Sequence, residues 1–421
     1  MNKVLVILCC CFTMSLFSQK KIVDEVRITG LGKTKLAFIQ KLIRVEVGSA
    51  LDTLQVQKDV QKLNQLVAVA NATYQLKQLG DDKYQLTYHI VENFTLIPQV
   101  NIWTIDGVLS YNLGLYEYNL LGRNIMLGGF YQNNGFHSYG VNFKAPYLFS
   151  SRLGMATNYR NWTSREPLYF DENVANYRYT NESYELMGLY ELNVRNNIEL
   201  GGSHFKEHYN YLGGSDSITE SQIPLAVEKN KTMLKFVYKY ANVRYNYYLL
   251  SGLKNQFYFQ TIVTEGDFQN KFLIAWNDLM WYQQVGAKGN FATRLRVGLA
   301  TNEDSPFAPF VVDNNVNIRG VGYAIDRGSG SIVWNVEYRH TLIKKKWLVI
   351  QSNLFVDMGS WRKPGGGFND FTQAENIRIY PGGGFRVIHK KIYNAVFRMD
   401  YGHDIEEGGS GGIVFGIGQY F

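Results

Sequence analysis

The spacing of hydrophobic residues along the sequence divides this chain into two regions. In residues 20–96, a short strand over 23–30 precedes a helix with apolar residues three or four positions apart, for which Thr34 is the expected N-cap. A second helix, capped by Asp52, carries one apolar stripe, and two strands follow that are joined by a turn at 80–82. The pattern predicts a small α/β module in the order strand, helix, helix, strand, strand.

From about residue 97 the helical period gives way to alternation. In residues 393–401 the odd positions are apolar or aromatic and the even positions mainly polar, and the same split recurs in residues 332–339 and 138–145. A soluble sandwich would have to bury two such faces around one core, and the 325 residues from 97 onward are too many for that. A closed barrel in lipid leaves the apolar face to hydrocarbon and pairs every strand edge.

The length of the alternating region sets the number of strands. At roughly 20 residues per strand and connection, it predicts about 16 strands. All eight prolines fall at the predicted strand ends or in loops. The predicted fold is mainly β: a transmembrane antiparallel barrel preceded by one small α/β domain.

The N-terminus has the pattern of a cleaved export signal. Lys3 precedes an apolar run over residues 4–17, and Ser18 is a small residue at its end. All three cysteines lie inside this run, so the mature chain is expected to lack disulfides, thiol catalysis and cysteine-bound metals. We therefore predict a signal peptide over 1–18, the α/β domain over 19–96 and the barrel over 97–421. Export and a barrel together imply the outer membrane of a Gram-negative bacterium.

Charge and hydropathy exclude two further classes. The formal net charge is +7, and no basic run is longer than residues 344–346, so the chain lacks the basic patch of a nucleic-acid-binding protein. After the N-terminus, no stretch of 18 apolar residues predicts a membrane-spanning helix.

Two short motifs match enzyme signatures but lie in the wrong context. Residues 204–208 read H-x-x-E-H, yet on a strand the two histidines would be roughly 13 Å apart, too far for one metal. Residues 408–412 match G-x-S-x-G without the required strand-to-helix turn. We predict no catalytic residue, no metal and no cofactor, and keep a hydrolase using Ser410 and His403 as a minor alternative.

Several motifs resemble the BamA/TamA family of outer-membrane assembly factors. The α/β module resembles a single POTRA domain, the periplasmic module of that family. Residues 119–123 (NLLGR) and 146–149 (PYLF) are similar to the first strands of the family's surface antigen barrel. Residues 317–320 (NIRG) resemble the tip of its sixth extracellular loop, and 355–359 (FVDMG) the facing motif on the inner wall.

The loop motif predicts a buried ion pair. An arginine folded into a barrel lumen requires acidic partners, and Glu337 and Asp357 lie on predicted lumen faces. Two interpretations stay open: the arginine only stabilises the barrel, or it takes part in the working cycle. The predicted loop pin comprises Arg319, Gly320, Glu337, Asp357 and Gly359.

The predicted last strand, residues 411–421, is weakened by Gly416 and Gly418. Its seam with the predicted first strand, residues 107–118, is therefore a place where the barrel could open sideways. An opened seam would expose unpaired N–H and C=O groups, onto which an incoming chain can add strands. The predicted seam residues are Leu109, Tyr111, Gly416, Gly418 and Phe421.

The resemblance implies a non-enzymatic function, the assembly or insertion of other outer-membrane proteins, with the α/β domain in the periplasm. The implied partners are outer-membrane lipids, unfolded outer-membrane or secreted polypeptides, and other subunits of an assembly complex, with no nucleic acid. Two alternatives stay open. One is a translocation pore for a secreted client, and the other is a passive pore or structural accessory barrel in a larger complex.

Overall fold

The computed structural model describes residues 21–105, 108–170, 173–214, 223–246, 248–264, 271–302, 308–314, 316–322, 325–390, 392, 395–406 and 408–421. The predicted signal peptide therefore lies outside the described residues. The chain divides into two compact units, the first ending at Glu92 and the second beginning at Asn93.

The first unit has the predicted order of elements. They are β1 (Ile22–Thr29), α1 (Leu36–Leu42), α2 (Thr53–Asn64), β2 (Val69–Gly80) and β3 (Lys83–Glu92). β3 lies in the centre of a three-stranded sheet, parallel to β1 and antiparallel to β2. Val56 and Leu63 of α2 are fully buried, as is Leu86 of β3, so the helix covers the sheet with its apolar stripe. Among the described residues, no helix has the length and apolar composition needed to cross a membrane.

Local chemistry explains two of these boundaries. The carboxylate of Asp52 accepts hydrogen bonds from the backbone N–H groups of Leu54 at 2.8 Å and Gln55 at 3.2 Å, which caps α2 as predicted. The turn between β2 and β3 contains Asp82 at φ 58°, the left-handed conformation that tight hairpins require.

The predicted cap of α1 was wrong. The N-cap position is Lys35, and no side chain caps the helix. The backbone N–H of Thr34 instead donates to Oε1 of Glu92 at 2.9 Å, and that of Lys33 to Oε2 at 2.9 Å. Because Glu92 at the end of β3 holds this segment, the helix begins one residue later than the local sequence suggests.

The second unit contains one sheet of 16 antiparallel strands, which confirms the predicted fold. In sheet order these strands are β4 (Leu96–Ile105), β5 (Val108–Leu120), β6 (Ile125–Asn133), β7 (His137–Ala145), β8 (Leu153–Phe170), β9 (Asn173–Asn193), β10 (Asn196–Gly214), β11 (Ala226–Asn246), β12 (Leu249–Thr264), β13 (Lys271–Val285), β14 (Gly289–Ala300), β17 (Gly330–Lys344), β18 (Leu348–Arg362), β19 (Ile377–His389), β20 (Val396–His403) and β21 (Gly411–Ile417). The connection between β14 and β17 contains a separate pair, β15 (Phe310–Val312) and β16 (Asp326–Gly328). Two 3-10 helices, Phe368–Thr372 and Ala374–Asn376, lie between β18 and β19.

Distant strands of the large sheet meet inside it. One buried cluster joins Tyr248 and Leu249, at the start of β12, with Val349 of β18, Ile388 of β19 and Val396 of β20. Since three strands separate β12 from β18 in the sheet, the sheet must curve back on itself around an interior.

The two faces of this curved sheet have the predicted alternation. On β17, Ile332 and Trp334 are exposed at 38% and 50%, whereas Val333, Asn335 and Glu337 are fully buried. The outer face is therefore apolar, as a barrel in hydrocarbon requires, and charged residues lie inside.

The prediction that every proline lies at a strand end or in a loop was wrong for three of them. Pro98, Pro167 and Pro381 are paired within β4, β8 and β19. Among the described residues, each of these prolines lies where its strand is paired with a neighbour on one side only. β4 is an edge strand, the pairing of β8 with β7 ends at Asn161, and that of β19 with β20 begins at Gly382. A missing N–H is tolerated there because no neighbour needs it.

The position of the first barrel strand also differs from the prediction. The segment predicted as the first strand, residues 107–118, largely corresponds to the second strand, β5, while Gly107 lies outside the described residues. The first strand, β4, begins at Leu96 and includes Pro98. Proline in this strand is accommodated because β4 is an edge of the sheet.

Candidate functional site

The described part of the long connection between β14 and β17 folds against the inner face of the barrel. Its residues Ile318 and Val321 are buried in one cluster with Val333 of β17, Trp361 of β18 and Tyr380 of β19. The loop thus packs on three neighbouring strands and carries its polar tip into the interior.

Arg319 at this tip is fully buried and is bound by two carboxylates. Its Nε and Nη2 donate to the two oxygens of Asp357 at 2.8 and 2.9 Å, and its backbone N–H donates to Asp357 Oδ2 at 2.9 Å. Its Nη1 donates to Glu337 Oε2 at 2.5 Å. The structure therefore brings Arg319 together with both of its predicted partners, in a bidentate geometry that fixes the loop.

The ion pair continues into a larger buried network. Glu337 also accepts hydrogen bonds from Arg339 at 2.6 Å and Arg386 at 3.0 Å. Arg386 donates in turn to Asp400 at 2.7 Å, and Asp400 lies 3.6 Å from Arg319. Since Asp400 is on β20, the network extends from the loop to the strand beside the sheet edge.

Sequence reasoning missed three members of this network: Arg339, Arg386 and Asp400. A signal was present for them, because the alternation of residues 393–401 places Asp400 on the polar face. That pattern shows which residues point inward, but not which of them meet across the lumen. Removing one partner from such a buried network leaves an uncompensated charge, typically at a cost of about 3–5 kcal/mol.

Two glycines allow the loop backbone to lie directly on β20. Gly320 has φ 97°, and a Cβ there would be 2.4 Å from the carbonyl oxygen of Gly402. A Cβ on Gly402 would in turn be 2.1 Å from the carbonyl oxygen of Arg319. Gly359, the remaining predicted residue of the loop pin, makes room for Trp361, whose ring would lie 2.6 Å from an added Cβ.

The last residues of the chain leave the sheet and enter the lumen. β21 ends at Ile417, where Gly418 turns the backbone with φ 89°. Tyr420 is 8% exposed, and Phe421 packs against a cluster that includes Tyr282 of β13. We call residues 418–421 the tail segment. The predicted strand to residue 421 is therefore four residues too long, because Gly418 adopts a conformation that a strand cannot continue.

The two edge strands of the sheet are β4 and β21. Among the described residues, no backbone pairing joins them. One bridge, from Phe94 to Ile392, brings the segment before β4 next to the connection between β19 and β20. This bridge is the described backbone contact between the two ends of the sheet, and it does not involve β21.

The structure places the predicted seam residues in three different positions. Leu109 and Tyr111 pair with Thr104 and Ile102 across the β4–β5 ladder, so they lie one strand away from the edge. Gly416 lies on β21 itself, where a Cβ would be 2.5 Å from the guanidinium of Arg398. Gly418 and Phe421 belong to the tail segment.

Solved structures with the same architecture are found by comparison of the fold. BamA from Haemophilus ducreyi, in a form lacking POTRA domains 1–3, has a TM-score of 0.58 at 15% identity, covering 94% of this chain and 83% of that one. The fold is that of a BamA-type barrel. CdiB from Escherichia coli and from Acinetobacter baumannii give TM-scores of 0.60 and 0.56 at 10% and 12% identity. Each alignment covers 94% of this chain, with 75% and 73% of the respective CdiB chains. The sequence itself matches no family model and no curated protein.

The wall of this BamA-type barrel has unequal height. β8 to β11 contain 18, 21, 19 and 21 residues, whereas β20 contains 8, β21 contains 7 and β4 contains 10. Seven residues span roughly 24 Å along the strand, and a tilt of about 40° reduces the height to roughly 18 Å. A hydrocarbon band of about 25 Å exceeds that height.

The two enzyme-like motifs lie on separate parts of the barrel. His204 and His208 are on β10, which pairs on both sides, and they contact Thr232 at 3.3 Å and Glu228 at 3.2 Å. Ser410 contacts Tyr380 at 3.3 Å. His403 contacts the carbonyl oxygen of Asp404 at 2.7 Å. Within the described residues, no hydrogen bond joins Ser410 to His403, and no cluster of three His, Cys, Asp or Glu residues could hold a metal.

Proposed function

We propose that this chain assembles or inserts other polypeptides in the outer membrane of a Gram-negative bacterium, through the seam between β4 and β21. The proposal rests on one observation: among the described residues, β4 and β21 are not paired with each other. Each edge offers free N–H and C=O groups, and an incoming strand that pairs with them gains hydrogen bonds while it leaves water. The function requires no covalent chemistry.

The wall height supports the same site. Because β20 and β21 have only 8 and 7 residues, the membrane next to them is expected to be thinner and easier to penetrate than elsewhere around the barrel. A client would then meet the exposed backbone edge and the weakest part of the bilayer at one place.

The domain organisation is part of the proposal. Residues 1–18 would be removed on export, residues 19–96 would act as one POTRA-like domain in the periplasm, and residues 97–421 would form the barrel. The three-stranded sheet of the first unit leaves β2 as an edge, which could bind an extended client before it reaches the seam. Outer-membrane lipids and further subunits of an assembly complex are the other proposed partners.

A second candidate is translocation of one secreted polypeptide through the lumen. One observation favours it: mixed charges follow the inner wall of β7 to β11. Glu199 binds Lys144 at 3.1 Å and Lys239 at 2.7 Å, and Glu185 binds Lys235 at 3.1 Å. Such a lining would stay hydrated and would not retain an unfolded chain.

Depletion of the protein in its source bacterium, followed by quantification of the outer-membrane proteome, separates the two candidates. Assembly predicts a broad loss of barrel proteins, whereas dedicated translocation predicts the loss of one client. An unchanged proteome and secretome would contradict both and leave the accessory role. Depletion of an unrelated outer-membrane barrel of similar abundance is the matched control.

A further inference from the structure

Four buried or half-buried arginines surround the two aromatic residues of the tail segment. The guanidinium carbons of Arg319, Arg398 and Arg294 lie 4.5, 4.9 and 5.5 Å from the ring centre of Tyr420. These distances are within the range of cation–π attraction. The loop pin, β20 and β14 therefore all contact one tyrosine ring.

Phe421 occupies a second position in the same group. Its ring centre lies 5.5 Å from Arg294 and 5.7 Å from Arg339, and its other side packs on the apolar cluster of β11, β13 and β14. We call Arg294, Arg319, Arg339 and Arg398 the arginine cage.

The guanidinium groups of the cage are only partly satisfied. Together with Arg386 they surround the buried carboxylates of Glu337, Asp357 and Asp400, and Nη2 of Arg339 also donates to the main-chain oxygen of Phe421 at 3.4 Å. Four buried donor atoms have no hydrogen-bond partner among the described residues: Nη1 of Arg339, Nε of Arg386, and Nε and Nη1 of Arg398. The electron-rich ring faces of two aromatic side chains are suited to stabilise such guanidinium groups where water is excluded.

The tail segment also has a second place where it could bind. β21 has seven residues and β4 has ten, so an extended tail segment would lengthen β21 to residue 421 and let it match β4. The two arrangements would diverge at Gly418, because its φ of 89° turns the chain into the lumen immediately after its N–H donates to the carbonyl oxygen of Val396.

We propose that the arginine cage is a binding site for adjacent aromatic side chains of a polypeptide, and that Tyr420 and Phe421 fill it as an internal occupant. An aromatic segment of an incoming chain displaces them, and the released tail segment then lengthens the edge at the seam. The identification of the incoming chain as a client rests on the proposed function, whereas the binding site itself does not.

Binding in the cage would be transmitted to the loop. The hydroxyl of Tyr420 donates to the backbone oxygen of Asn314 at 3.1 Å, and its ring lies on Arg319, so the tail segment holds the loop at two points. Displacement of Tyr420 removes both contacts at once. The state of the seam and the state of the loop are thereby coupled.

A peptide-binding measurement tests the site without any client assay. The probe is a fluorescent peptide that copies residues 411–421 with an amidated end, and the protein is the full chain in lipid nanodiscs. The double variant Tyr420→Ala/Phe421→Ala should bind this peptide at least about tenfold more tightly than the unchanged chain, because no internal occupant competes. The same peptide with both aromatics replaced by alanine should bind the double variant at least about tenfold more weakly. Equal affinities in either comparison would overturn the proposal.

A matched control replaces an aromatic residue outside the cage. Phe397 is on β20 and is 57% exposed on the outer face, so Phe397→Ala should leave peptide affinity at the level of the unchanged chain. If this variant also bound the peptide more tightly, the tighter binding of the double variant would reflect a general loosening of β20, and the proposal would be overturned.

A distance measurement covers the case in which the double variant does not fold. Spin labels at Gln419→Cys and at Val387→Cys on the outer face would report where the tail segment lies. Saturating aromatic peptide should add a second distance population, and an unchanged distribution would overturn the proposal. Because neither measurement uses client insertion, a failed depletion experiment with positive peptide binding would reject the proposed function and retain the site.

Discussion

The two sides of the barrel differ in what holds them together. On the tall side, β8 to β11 are joined by long ladders, such as the 15 successive pairs between β10 and β11. On the short side, β20 and β21 share only seven pairs, and β4 and β21 share none among the described residues. Backbone hydrogen bonds thus stabilise the tall side, whereas the short side depends on the buried arginine network, close glycine contacts and the tail segment. If the barrel opens at this seam as proposed, the ladders of the tall side would remain intact.

The largest expected effect comes from removing the centre of the arginine network. Arg319→Met should lower the free energy of unfolding by about 3–5 kcal/mol, because the buried Asp357 would lose its arginine partner while Glu337 keeps Arg339 and Arg386. Urea unfolding in lipid vesicles measures this change. The matched variant on the tall side is Lys206→Met, whose pair with Glu228 is solvent-exposed. Its effect should stay within about 0.5 kcal/mol. Similar losses for both variants would remove the distinction between the two sides.

Amide hydrogen exchange should show the same contrast in the unchanged protein. Residues 411–417 of β21 should exchange at least about 100-fold faster than the paired centre of β9, because opening at the edge breaks few bonds. Mass spectrometry of the protein in nanodiscs measures both segments in one sample. Equal protection of β21 and β9 would mean that the short side is as firmly closed as the tall side.

A smaller effect is expected where the loop lies on β20. Gly402→Ala places a Cβ 2.1 Å from the carbonyl oxygen of Arg319, so the loop must shift, at a cost of about 1–3 kcal/mol. Gly188→Ala on β9 is the control, since its Cβ would lie 3.5 Å from the nearest atom, an ordinary contact. Thermal unfolding in the same lipid compares the two. A larger loss for Gly188→Ala would contradict the packing described for the loop.

The fold could be predicted from sequence because its signals are local. The spacing of hydrophobic residues changes near residue 97, and the alternation extends along each strand. Asp52 caps a helix that begins at the next residue, and the turn before β3 is set by residues next to it in sequence. The errors in Thr34 and Pro98 arose where distant or missing neighbours decide: Glu92 binds the segment before α1, and an edge position tolerates proline. Local patterns carry no information on either.

The site could be predicted only in part for the same reason. Arg319 and Asp357 are identified by motif resemblance and Glu337 by its predicted lumen face, and the structure brings the three together. The convergence of Arg386 and Asp400 on them depends on which strands face each other across the lumen. The inward turn of Tyr420 depends on a single dihedral angle at Gly418. Neither is visible in the periodicity of the sequence.

A disulfide across the seam tests whether clients enter the membrane between β4 and β21. A cysteine at Val100 of β4 would be combined in turn with one at Ile413, Phe415 or Ile417 of β21, and the pair that crosslinks would be kept. The measurement is insertion of an unfolded eight-stranded barrel protein into vesicles that contain the purified chain, with and without reductant. The disulfide across the seam should abolish insertion, and reductant should restore it. As a control, a disulfide between Leu279→Cys and Leu295→Cys, which are paired on the β13–β14 ladder, should leave insertion unchanged. Full insertion activity with the seam locked would contradict the account.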